Sequence, residues 1–178
     1  LADGSRLTGH WKEDEKLGDG TITKEDGAGY VGGLSDGEYS GYGTMNYADG
    51  EVYEGEWDTG SREGQGTMTY DDGSIYVGEW FADSKVDGTM TYENGEVYQG
   101  EWDWVPDHYL EEFWDGRGTW SHPKGDRYEG GYKNFERHGF GIYMNPFGFQ
   151  YAGEWHEGER HGNGTWNSPE GEKYVGPW

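Results

Sequence analysis

Cysteine is absent from this 178-residue chain. That excludes a disulfide frame, a zinc knuckle and thiol catalysis, and leaves the redox compartment open. No run of about 18 apolar residues occurs, so no transmembrane helix is encoded. No signal peptide is visible in a sequence that begins without Met. Basic residues are scarce: 13 Lys and Arg stand against 36 Asp and Glu, for a net charge of −23. The hydrophobic fraction is only 31%, with 35 glycines and 5 prolines, a combination that ordinarily signals disorder. Two features argue against disorder here. Aromatics reach 17%, and the glycines fall in register.

The acidity is concentrated in one block. Residues 25–116 hold 23 acidic residues against only Arg62 and Lys85, whereas residues 1–24 and 117–178 each carry a net charge of −1. Phosphate binding requires Lys and Arg, and anionic membranes attract basic segments. Nucleic acid is therefore excluded as a partner, and direct membrane binding is disfavoured. A basic protein surface or cations suit the block better. A solvated face that merely keeps a long sheet soluble explains it without any partner.

The register is a 23-residue period. One column runs Leu7, Tyr30, Tyr53, Tyr76, Tyr98, Tyr128, Tyr151, Tyr174, and a second, four residues on, runs Trp11, Leu34, Trp57, Trp80, Trp102, Tyr132, Trp155, Trp178. The step from Tyr76 to Tyr98 is one residue short, and the step from Tyr98 to Tyr128 is seven too long. Self-similarity at such a period means one supersecondary unit repeated, each copy burying its apolar face on its neighbours. The chain reads as a single array over 1–178 of about 7.5 repeats. Its start inside Ala2-Asp3-Gly4, the counterpart of Ala48-Asp49-Gly50, and its stop after Trp178 read as cuts through a longer array.

Side chains on a strand alternate faces. Tyr53, Gly55 and Trp57 therefore share one face, and Glu54 and Glu56 the other. Asp58 to Glu63 reads as a polar connection, and Gly66 to Tyr70 as a second strand. The Met68 column is large and apolar throughout: Ile22, Met45, Met90, Trp120, Tyr143, Trp166. Ala48-Asp49-Gly50, Asp71-Asp72-Gly73 and Glu93-Asn94-Gly95 supply the positive φ that short hairpin turns need. The expected fold is all-β: an elongated, single-layer antiparallel ribbon of stacked β-hairpins, slightly twisted or curved.

The pattern Tyr-x-Gly-x-Trp, six residues, Gly-x-Gly, six residues, Gly is similar to the MORN (membrane occupation and recognition nexus) repeat. It stands as Tyr53 to Gly73 and again as Tyr151 to Gly171. The resemblance covers nearly the whole chain. It implies a non-catalytic scaffold for protein–protein interaction, a structural component of cytoskeletal or ciliary assemblies, with a cytoplasmic, cytoskeletal or axonemal location. It also implies an alternative, the regulatory arm of a lipid kinase or methyltransferase whose catalytic domain lies elsewhere. A carbohydrate-binding array, such as short Gly/aromatic hairpin repeats also build, is a third reading.

The insertion Asp103–Asp115 is the main departure. It puts Trp104, Tyr109, Leu110, Phe113 and Trp114 into a position that is otherwise a polar loop, and repeat insertions often mark a binding rim. With Trp57, Trp80 and Trp102 on the aromatic face, these are the candidate partner-binding residues. The same insertion read as a cover for its own sheet face needs no partner. The expected partner is a protein with a basic or apolar helical surface, with a homodimer as a further option through open ribbon ends. No catalytic residues, cofactor or metal are expected. Arg137-His138-Gly139 and Arg160-His161-Gly162 recur by repeat, the glycine pairs precede no phosphate-binding helix, and the acidic turns lack an EF-hand's ligand spacing.

Overall fold

The computed structural model of the chain describes residues 4–12, 15–104 and 112–178. Packing divides it into two units, 1–85 and 86–178. Among the described residues there is no helix, hence none long and apolar enough to cross a membrane. Fifteen strands follow one another in sheet order as they do in sequence.

The first unit holds β1 (Arg6–Lys12), β2 (Glu15–Thr23), β3 (Gly29–Ser35), β4 (Glu38–Asn46), β5 (Val52–Asp58), β6 (Ser61–Thr69) and β7 (Ile75–Phe81). The strand β8 (Ser84–Thr91) begins at its end. The second unit continues through β9 (Val97–Trp104), β10 (Glu112–Ser121), β11 (Arg127–Lys133), β12 (Glu136–Met144), β13 (Gln150–His156), β14 (Glu159–Asn167) and β15 (Lys173–Pro177). Within each unit, neighbouring strands pair antiparallel, as in Tyr53↔Met68 and Gly55↔Gly66 or Tyr128↔Tyr143 and Gly130↔Gly141. A single-layer, all-β stack of hairpins is what the repeat pattern predicts, and it is what forms.

Two turn types alternate. After β3, β5, β7, β11 and β13 comes a two-residue loop with both residues at positive φ: Asp36-Gly37, Thr59-Gly60, Ala82-Asp83, Asn134-Phe135, Glu157-Gly158. These dihedrals are those of the type I′ turn, whose twist matches that of paired strands. Across the unit boundary of each repeat runs a different turn, in which Gly73 N–H donates to Tyr70 C=O and Tyr70 N–H to Ser74 C=O. Asp72 Oδ1 accepts from Ser74 N–H at 2.7 Å.

Here two sequence expectations are corrected. Asp58–Glu63 is not a polar connection: β5 runs through Asp58 and β6 starts at Ser61, leaving only Thr59-Gly60 as the turn. Its polar residues alternate along paired strands, one face of which is open to water. The loop bounds 103–115 are likewise too wide: β9 extends through Trp104 and β10 begins at Glu112, with Trp104↔Glu112 and Trp114↔Trp102 in register. These strands have 8 and 10 residues where β5 and β6 have 7 and 9, and residues 105–111 lie outside the described residues. The residue missing between Tyr76 and Tyr98 shortens β8 to 8 residues, where β4 and β6 have 9.

Candidate functional site

The two faces of the sheet are chemically different. On one, Tyr30, Tyr53, Tyr76, Tyr98, Tyr128 and Tyr151 are each 0% exposed, a degree of burial a single layer reaches only by laying each ring on backbone. Glycine makes room for it. A Cβ on Gly66 would sit 2.5 Å from Cε2 and Cζ of Tyr53, and one on Gly55 would meet the Tyr53 hydroxyl and the Gly66 backbone.

Each tyrosine hydroxyl then donates to the carbonyl three residues on: Tyr53 to Glu56 at 3.0 Å, Tyr98 to Glu101 at 2.8 Å, Tyr151 to Glu154 at 2.9 Å. The register slips between Gly55 and Trp57, so this is the carbonyl of the residue at the slip. The hydroxyl thus satisfies a bulge that would otherwise cost roughly 1–3 kcal/mol in an unpaired buried group. The glutamate side chain works on the opposite strand: Glu56, Glu101 and Glu154 accept from the N–H of Gln65, Arg117 and Asn163 at 2.9–3.0 Å. Glu54 and Glu56 therefore differ. Glu56 holds the bulge, and Glu54 stands exposed and accepts from the Tyr42 hydroxyl at 3.1 Å.

Tryptophans pack edge-on between successive tyrosines. Trp57 lies 5.0 Å from Tyr53 and 5.6 Å from Tyr30, and Trp80 lies 5.1 Å from Tyr76 and 5.3 Å from Tyr53. Their indole N–H groups donate back to Gly43 and Gly66 C=O.

A column that sequence reasoning missed completes this face. It stands nine residues after each tyrosine and holds Tyr39, Arg62, Lys85, Arg137 and Arg160. Arg62 sits 4.3 Å over Trp80, Lys85 5.1 Å over Tyr70, Arg137 4.8 Å over Trp155, and Arg160 4.9 Å over both Tyr151 and Trp178. Tyr39 stacks on Tyr30 at 4.2 Å instead. In the lengthened hairpin Trp114 takes the place, parallel to Tyr98 at 4.2 Å and 2°. These are cation–π and stacking contacts worth about 0.5–2 kcal/mol each. The only two bases of the acidic block, Arg62 and Lys85, are both committed here. The 23-residue spacings of Arg62 to Lys85 and of Arg137 to Arg160 were the signal that could have found it.

The candidate residues therefore separate. Trp57, Trp80 and Trp102 are buried, in edge-on contact with neighbouring tyrosines. Trp114 packs in the same row. Trp104 and Phe113 stand on the paired ends of β9 and β10, and Tyr109 and Leu110 lie outside the described residues. Burial raises the buried tyrosines' pKa values, Tyr30 and Tyr128 to about 12 and Tyr53, Tyr98 and Tyr132 further still. The neutral hydroxyl donor is thus the stable form. Arg137 and Arg160 leave His138, His156 and His161 together on the other face, ring centroids 5.1 and 5.5 Å apart. Among the described residues no group of three or more His, Asp and Glu is placed to hold a metal ion.

The other face is open. Around β3–β7 it exposes Val31 (56%), Tyr42 (61%), Val77 (53%) and Phe81 (66%) among Glu54, Glu56, Asp58, Glu63 and Glu79. In the second unit a shallow trough of about 510 Å³ crosses the same face, lined by Asp87, Gln99, Arg117, Glu129, Phe140 and Ile142.

No curated protein sequence matches the chain. The fold is similar to that of the SAS-4 (dCPAP) TCP domain of Drosophila melanogaster, solved in complex with a proline-rich motif of Ana2 (dSTIL): 14% identity, 97% of each chain covered, TM-score 0.54. The TCP10 domain of Danio rerio CPAP, in complex with a peptide of Danio rerio STIL, matches at 15% identity over 90% of this chain and 81% of that one, with a TM-score of 0.36. The MORN repeat family matches residues 30–52, 53–75, 128–146 and 151–173, segments whose Tyr/Gly/Trp columns build the closed face, and this chain carries MORN repeats at those four positions.

Proposed function

We propose that the chain is a non-catalytic scaffold that presents one face of a hairpin sheet to a protein partner. The observation behind this reading is the asymmetry of the two faces. The aromatic face consumes its own rings and bases in packing, whereas the opposite face leaves large apolar side chains in water among carboxylates. Exposed apolar patches on an ordered sheet are typical of interaction sites, and an open sheet face offers no water-excluded cleft for chemistry. The SAS-4 TCP domain, which shares the fold, is held with a proline-rich motif of its partner, and a peptide-docking role here agrees with that. The finer reading is a structural part of a cytoskeletal or ciliary assembly, with the inserted segment that carries Trp104, Tyr109, Leu110 and Phe113 as a second contact.

Affinity purification of the intact protein beside folded variants tests this. Val77→Lys on the open face, or Trp104→Ala with Tyr109→Ala in the inserted segment, should release at least one partner that the unaltered chain retains. The same set of proteins on all three would sink the proposal.

A further inference from the structure

The open face of β3–β7 specifies its occupant more closely. We infer that it receives a proline-rich segment in the polyproline-II conformation, with a Lys or Arg at every third position, laid across the strands. This deepens the scaffold reading and rests on it.

Three observations carry the inference. The first is apolar. Val31 and Val77 stand in one column, each opposite a threonine, in the pairs Val31↔Thr44 and Thr67↔Val77. Tyr42 and Phe81 expose rings on the same face, so a segment crossing the strands meets methyls and rings that suit rigid apolar rings such as proline.

The second is charge. Residues 29–81 contain one base, Arg62, and its guanidinium lies over Trp80 on the opposite face and pairs with Asp83 at 3.0 Å. Glu54, Glu56, Asp58, Glu63 and Glu79 therefore act on this face without a compensating Lys or Arg, which favours a cationic partner and repels an acidic one.

The third is pitch. Each repeat adds two strands, so equivalent residues such as Val31, Glu54 and Val77, or Glu56 and Glu79, recur about every 9.6 Å across the sheet. A polyproline-II helix turns once in three residues and about 9.3 Å. The slip over two repeats is then only about 0.6 Å, and every third side chain meets an equivalent site. An α-helix, with its pitch of about 5.4 Å, and a β-strand, repeating about every 6.7 Å on one side, both fall out of step within one repeat. A preformed polyproline segment also loses little conformational entropy on docking.

The test is fluorescence anisotropy with the whole chain and labelled peptides. The probe is roughly five Pro-Pro-Lys triplets. The controls are the same residues with lysines unevenly spaced, and an amphipathic helical peptide of equal charge. The regular peptide should bind about tenfold tighter than the uneven one, and weaken as salt rises from about 50 to 200 mM. Val31→Lys and Val77→Lys, with unchanged circular dichroism, should each abolish the preference. Equal binding of both proline peptides, or binding indifferent to Val31→Lys and Val77→Lys, overturns the inference. Preference for the helical peptide, lost in those two variants, overturns the proline-rich occupant but leaves the scaffold standing. Affinity purification in which no partner depends on the open face or the inserted segment removes the scaffold itself.

Discussion

Replacing Gly66 by alanine isolates the interaction on which the closed face depends. The position has no requirement for positive φ, so alanine suits its backbone, and the whole effect comes from one added methyl. That methyl would lie 2.5 Å from two ring carbons of Tyr53, well inside the normal contact of about 3.5–4.0 Å. The ring has little room to yield. Its hydroxyl is bonded to Glu56 C=O, and the edges of Trp57 and Trp80 abut it at 5.0 and 5.3 Å. Overpacking of this kind costs about 1–3 kcal/mol. Expelling the ring instead forfeits up to about 5 kcal/mol, taking roughly 200 Å² at 25 cal/mol/Å². The cheaper response sets the loss, expected at the upper end of the overpacking range, about 2–3 kcal/mol, read from urea denaturation and from hydrogen exchange of β5–β7, since repeat arrays open locally. Gly73→Ala is the contrasting control: its φ of +84° is strained, but the space is empty, so it should cost only about 1–2 kcal/mol. Tyr53→Leu should also absorb the added methyl, giving Gly66→Ala and Tyr53→Leu a favourable coupling of roughly 1–3 kcal/mol. A loss below about 1 kcal/mol for Gly66→Ala, or strict additivity with Tyr53→Leu, would refute ring-on-glycine packing.

Three further predictions follow from other features. Arg62→Met keeps the volume but removes the cation from Trp80 and the contacts to Asp83, and should cost about 1–3 kcal/mol in chemical denaturation, only partly screened by salt. Ala82→Asn, at φ +46° in a type I′ turn, should raise stability by about 0.5–1 kcal/mol in the same assay, because asparagine tolerates that conformation better. Alkaline titration gives the third. Burial raises the Tyr30 and Tyr128 pKa values from 10.0 to about 12, so the fold favours the neutral phenol. That contribution is complete below the unfolded value and is lost as pH rises from 10 through 12. The tyrosinate absorbance of Tyr30 and Tyr128, read as the difference from Tyr30→Phe and Tyr128→Phe, should therefore lag and then appear together with loss of circular dichroism, whereas ionisation of these two near pH 10 in a folded chain would contradict it.

Much of this architecture was legible in the period. Tyr53-x-Gly55-x-Trp57 gave the buried face, and Asp72-Gly73 gave its turns, because both depend on local stereochemistry that one residue type satisfies. The short turn at Thr59-Gly60 was hidden, since polar residues on the solvated face of a strand look like a loop. Arg62 and Lys85 were counted as stray bases in an acidic block, because a cation lying flat on rings leaves no hydrophobic signature. Trp114 reads as part of the insertion, binding or covering its own face, for a related reason: the seven added residues displace it from the 23-residue register, and only the strand pairing Trp114↔Trp102 returns it to its column. The distinction between Glu54 and Glu56 depends on a bulge, which pattern alone does not reveal.

Hydroxyl-radical footprinting of the intact protein, alone and with the regular Pro-Pro-Lys peptide, measures the two faces together. Tyr42 and Phe81 should be oxidised readily and become protected by the peptide, while Tyr53, Trp57, Tyr76 and Trp80 stay at least about tenfold slower throughout. Oxidation of Trp57 and Trp80 as fast as Tyr42, or peptide protection on those rings in place of Tyr42 and Phe81, would contradict the division into a closed and a working face.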